Sequence, residues 1–74
     1  MKEKSSILLL FGNRVKEQRK LKGLSQEELA EKAGVHRTYI GMVERAEKNI
    51  TLENIQKIAN SLEVEISKLL EPHV

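Results

Sequence analysis

At 74 residues the chain is long enough for one small domain, and a domain of that size buries only about 60% of the surface its unfolded chain exposes. It has no cysteine, which excludes disulfides and thiolate metal sites, and His36 and His73 lie far apart without paired ligands, so a partner chain is the remaining external support. The net charge of +2 hides an asymmetry: seven basic residues meet two acidic ones up to Gly23, and six meet nine from Leu24 onward, a basic end that suits a polyanionic partner.

Residues 1–5 read as a flexible, charged arm, and residues 6–74 as a single domain. The apolar run Ile7 to Phe11 is shorter than the ~7–15 residues of a signal-peptide core and far below the ~20 needed to span a bilayer. The expectation is a cytoplasmic protein with no membrane partner. A first helix is predicted from about Ser6 to Lys22, capped by Ser5 or Ser6 and stopped by Gly23. Its apolar stripe is Leu8, Phe11 and Val15, and the next position on that stripe is Arg19. Ser25-Gln26-Glu27-Glu28 is a capping box; it opens a short second helix carrying Leu29, Ala30 and Ala33 and ending at Gly34. A third helix runs from His36 or Arg37 to about Arg45. Thr51 caps a fourth, with Leu52, Ile55, Ile58, Ala59 and Leu62 at helical spacing. A last short helix is expected from about Ile66 to Glu71, ended by Pro72. No apolar alternation reads as a strand, so the predicted fold is all-α: a compact bundle of five helices.

The segment from Ser25 to Arg45 carries the chemistry. A capped helix, a tight turn at Gly34-Val35 and a second helix starting at once form the helix-turn-helix pattern, whose second element enters the major groove of DNA. At about 100° per residue, Arg37, Thr38, Gly41, Met42 and Arg45 share one face of the third helix. Ile40, Val43 and Glu44 fall on the other. A solvated helix face would carry Lys, Glu and Ala instead. Gly41 in mid-helix costs up to ~1 kcal/mol, which a close approach by another molecule would justify. Arg19 and Glu44 each lie on or beside an apolar stripe. A lone buried charge is expensive, so they are the natural pair, structural rather than catalytic.

These residues resemble the helix-turn-helix domain of the phage 434 repressor and Cro family, also called the XRE family, from Phe11 to about Leu70. The likeness rests on Arg19, Leu24-Ser25-Gln26-Glu27-Glu28-Leu29-Ala30, Gly34-Val35, Ile40, Val43-Glu44 and Leu52 with the helix that follows. Within the family, His36-Arg37-Thr38-Tyr39-Ile40-Gly41, Val43-Glu44-Arg45 and Lys48-Asn49-Ile50-Thr51-Leu52 are most similar to the controller proteins of restriction-modification systems. Those are small dimeric regulators that control expression of the restriction endonuclease. Ala46 departs from the pattern, standing where many members carry glycine. The resemblance implies a lambda repressor-like DNA-binding domain in which Arg37, Thr38 and Met42 touch base edges. Gln26, Tyr39, Arg45, Lys48 and Asn49 would contact the DNA backbone. Arg37 suits guanine, and Met42 a thymine methyl. His36 reads as a helix-entry residue rather than a ligand.

One short recognition helix reads too few base pairs to select a genomic site. A two-fold dimer sets two such helices about 34–36 Å apart on a pseudo-palindrome, and the expected interface is Val64, Ile66, Leu69 and Leu70. RNA polymerase would be a further partner of an activator. The sequence offers no site for a metal, cofactor or small-molecule effector. A phage or chromosomal repressor, or an antitoxin-like protein-interaction module, is the alternative on the same fold; the latter would carry a neutral or acidic recognition face. An enzyme would need a nucleophile with a positioned base or a carboxylate constellation. The serines sit at caps or on loops and the glutamates are spread over separate helices, so no catalytic residue is assigned.

Overall fold

The structure is a computed structural model describing residues 5–72, so most of the expected N-terminal arm and His73 lie outside the described residues. Four α-helices follow one another: α1 (Ser6–Leu21), α2 (Gln26–Ala33), α3 (Arg37–Glu44) and α4 (Leu52–Leu62). A 3-10 helix (Ile66–Leu70) closes the chain. There is no strand among the described residues.

The helix starts are set by side chains. Ser25 accepts from the Glu28 amide at 3.0 Å while the Glu28 carboxylate accepts from the Ser25 amide at 2.8 Å, which satisfies two donors that an open helix end would orphan. Thr51 accepts from the Asn54 amide at 3.1 Å. At His36 the cap is a ring nitrogen, Nδ1, accepting from the Thr38 amide at 3.1 Å. The helix ends share one device. After each α-helix a residue turns left-handed, and the next amide reaches back to a carbonyl five residues earlier: Leu24 to Arg19, Val35 to Ala30, Glu47 to Met42, Val64 to Ala59. This is the Schellman motif. Gly23 and Gly34 take the left-handed position twice, at φ of 73° and 72°, but Ala46 and Glu63 take it at 60° and 59°.

The predicted fifth α-helix is corrected to a 3-10 turn, and the described residues form four α-helices rather than five. Glu65 enters it in extended conformation without a side-chain cap, and Glu71 leaves it extended, as a residue before proline must. Five residues between these points cannot repay the nucleation of an α-helix, and the tighter i→i+3 bond from the Lys68 amide to the Glu65 carbonyl is made instead.

The core gathers Phe11 and Val15 of α1, Leu29, Ala30 and Ala33 of α2, Ile40 and Val43 of α3, Ile58, Ala59 and Leu62 of α4, and Leu69. Leu8 is only half-buried. Leu52, expected on the apolar stripe of α4, is 82% exposed. It is the first residue of α4 and lies about 70° off the centre of the stripe, with its side chain tilted back beyond the helix start. Gly12, which the sequence did not single out, lets α1 cross α3 closely. A methyl there would stand 2.5 Å from the Val43 carbonyl oxygen and 2.9 Å from that of Glu44. Arg14 ties the end of the chain to α1, pairing with Glu17 and donating from Nε to the Glu71 carbonyl at 2.8 Å.

Candidate nucleic-acid interface

α2 and α3 pack on each other through Ala30, Ala33, Ile40 and Val43, all buried. Small side chains on α2 and the left-handed turn at Gly34 let the two helices meet closely. α3 therefore leaves one face outside, and Arg37 and Thr38 at its start are exposed while Met42 is half-buried. Behind that face lies a buried polar junction. The Arg19 Nε donates to Glu44 Oε2 at 2.7 Å and its Nη2 to Glu44 Oε1 at 3.1 Å. The Arg19 Nη1 donates to the Leu24 carbonyl at 2.9 Å. The Glu44 side chain is 3% exposed and that of Arg19 11%. Gln26, the first residue of α2, donates from Nε2 to Glu44 Oε1 at 3.0 Å. One carboxylate thus binds α1, the start of α2 and the end of α3, and it fixes the angle at which α3 is presented.

The residues expected to touch DNA do not all stand alike. Gln26, Arg37, Thr38, Gly41 and Arg45 line one open concavity of about 230 Å³. Gly41, read from the sequence as bare backbone awaiting another molecule, is instead covered by its own chain: a methyl there would lie 3.0 Å from Arg45 Nη1 and 3.6 Å from Gln26 Oε1. Arg45 follows the last turn of α3, and its Nε pairs with Glu47 Oε1 at 3.2 Å. The Tyr39 hydroxyl accepts from Asn54 Nδ2 at 3.0 Å, which ties α3 to the start of α4. Lys48 and Asn49 are exposed on the loop between α3 and α4. The Asn54 contact has no local signature in the sequence, because its two partners lie on different helices.

Of the four residues expected at a dimer interface, Leu69 is fully buried in the monomer core. Val64 and Ile66 are partly buried against that core, and Leu70 is exposed. Among the described residues no cluster of three His, Cys, Asp or Glu side chains is placed to hold a metal, and no helix is long and apolar enough to cross a membrane.

Comparison with known proteins places this geometry. The family described as helix-turn-helix (HTH_3) matches residues 15–69. The control protein C.SmaI of Serratia marcescens is 46% identical over 61 residues, which are 82% of this chain and 73% of that protein. The crystal structure of the restriction-modification controller protein C.AhdI from Aeromonas hydrophila superposes with a TM-score of 0.85 at 46% identity, covering 88% of this chain and 98% of that one. SinR, described as the master regulator for biofilm formation and solved in complex with DNA, superposes with a TM-score of 0.78 at 40% identity over 82% of this chain and 98% of that one.

Proposed function

The chain belongs to the helix-turn-helix family HTH_3, and from that premise we propose that it binds double-stranded DNA sequence-specifically and regulates transcription as the controller of a restriction-modification system. The observation that carries the reading is the exposed face of α3, where Arg37 and Thr38 stand beside Gln26 and Arg45 around one concavity with no acid among them. The Arg19–Glu44–Gln26 junction behind it holds that face rigidly, which lowers the ordering cost of binding. Likeness to C.SmaI and C.AhdI, both named as controllers, supports the restriction-modification role. SinR, solved on DNA, supports the class of ligand.

In this reading Arg37 pairs with guanine, and Thr38 and Met42 make further base contacts. Gln26, Tyr39, Lys48 and Asn49 hold phosphates and set the register. Two chains associate through the edge formed by Val64, Ile66 and Leu70, with Leu69 supporting it from the core, and each chain reads half of a pseudo-palindrome. The protein acts in the cytoplasm without cofactor, metal or small-molecule effector. RNA polymerase is the partner if the bound dimer activates.

Selection of binding sites from a random duplex library tests the proposal. Recovery of a short pseudo-palindrome supports it. Recovery of no consensus, with a stable complex formed instead with another protein, would move the function to an interaction module of the same fold.

A further inference from the structure

Two glycines sit inside helices of this protein, and their surroundings differ. The nearest atoms to a methyl built on Gly12 are backbone, the Val43 and Glu44 carbonyls, so the crossing of α1 and α3 requires that glycine. The three nearest atoms to a methyl built on Gly41 are ends of side chains: Arg45 Nη1 at 3.0 Å, Gln26 Oε1 at 3.6 Å and Arg45 Cζ at 3.8 Å. Flexible side chains can withdraw by a few tenths of an ångström, so the fold itself does not need glycine at 41. Glycine in mid-helix is nevertheless less stable than alanine. The absent side chain therefore serves Arg45.

Side chains on a helix lean toward its N-terminus. Arg45 follows that rule and lays its guanidinium over Gly41, one turn back, in the concavity shared with Arg37, Thr38 and Gln26. Glu47 pairs with it through Nε at 3.2 Å, which leaves the Nη side of the group turned toward Gly41. A guanidinium presents donors in a rigid fork that matches the O6 and N7 acceptors of guanine in the major groove. Held against the helix beside Arg37, that fork lies on the face the proposed function turns toward the bases rather than out at the flank where phosphates run.

We infer that Gly41 is a specificity-determining residue: by lacking a side chain it seats the Arg45 guanidinium against the recognition helix, so that Arg45 reads a guanine in each half-site alongside Arg37. The inference rests on the reading of α3 as the recognition helix. It changes the assignment of Arg45 from a backbone contact to a base contact, and it gives Gly41 a task that a packing residue does not have.

The test compares the wild-type protein, Gly41→Ala and Arg45→Ala by equilibrium titration on the selected operator, on every single-base-pair variant of one half-site and on random duplex, at one salt concentration, with thermal melting of each protein. The expected result is that Gly41→Ala melts a few degrees higher than wild type, and that both variants lose about five-fold or more of the discrimination against the wrong base at the same guanine. Discrimination that Gly41→Ala leaves unaltered at every position overturns the inference. So does a loss confined to a position that Arg45→Ala does not affect, or a lower melting temperature for Gly41→Ala with uniform loss of binding, which marks a packing glycine. A wild-type protein that discriminates between no duplexes removes the proposed function itself, an outcome separate from these.

Discussion

The junction of Arg19, Glu44 and Gln26 allows a quantitative prediction about stability. Replacing Glu44 by leucine removes the carboxylate that Arg19 meets with two nitrogens at 2.7 and 3.1 Å and leaves a largely buried guanidinium with the Leu24 carbonyl at 2.9 Å. Replacing Arg19 by methionine leaves a carboxylate that is 3% exposed with Gln26 as its remaining partner among these three residues. Breaking a buried pair from one side costs about 3–5 kcal/mol, whereas exchanging both partners for apolar side chains of similar volume is often neutral or better. A chain of 74 residues has about 4–11 kcal/mol of stability in all, so each single variant loses a large share of it. The double variant Arg19→Met/Glu44→Leu is expected to be more stable than either single one, which requires a coupling energy larger than the single losses of about 3–5 kcal/mol. Urea unfolding followed by far-ultraviolet circular dichroism measures it, since each kcal/mol moves the midpoint by about 0.3–1 M. Additive losses in the double variant would refute the claim that this pair is buried and mutually dependent.

The helix ends and the charged loop give further predictions. Glu63→Gly relieves a left-handed residue on the surface and is expected to stabilise by about 0.5–1 kcal/mol, the strain released less the added freedom of the unfolded chain. Ala46→Gly gains the same relief but gives up a methyl that is 6% exposed, about 0.8 kcal/mol, and should leave the melting temperature nearly unchanged; equal gains in the two variants would contradict this account. Hydrogen bonds from Ser25, its backbone N–H foremost, hold the Glu28 carboxyl below its usual value. Its contribution to stability is therefore present above the unfolded-state value and lost as pH falls through the lower folded-state value, so Glu28→Gln flattens the acid limb of melting temperature against pH. On DNA, Lys48→Ala should weaken operator and random duplex alike and lower the slope of log affinity against log salt by about one unit, as measured by titration over a salt series.

Features governed by neighbours in sequence were legible before the fold was known. The capping box at Ser25 to Glu28, the stop at Gly34 and the division of α3 into an apolar and a polar face all follow from spacing and local hydrogen bonding. The Arg19–Glu44 contact followed from the cost of a lone charge on a core stripe, whereas the third partner, Gln26, was expected at the DNA backbone and its bond to Glu44 emerged with the fold. What escaped depends on where other elements lie. Gly12 is required by carbonyls of α3 that are distant in sequence. Arg14 is held by a backbone oxygen 57 residues away. Leu52 stands at the first residue of α4 and at the margin of its stripe and is 82% exposed, and periodicity carries no information about where a neighbour stops. The last helix tightened to 3-10 because its boundaries, not its composition, decide its length. At Gly41 the sequence showed that a side chain was missing, but only the structure shows that the Arg45 guanidinium lies against that space.

Base reading by α3 through Arg37 is tested by the ratio of operator to random-duplex affinity for wild type and Arg37→Ala under one buffer. The variant is expected to lose about 1–3 kcal/mol per contacted half-site on the operator and much less on random duplex, so that the ratio collapses. An equal loss on both kinds of DNA would contradict it and reduce Arg37 to a phosphate contact.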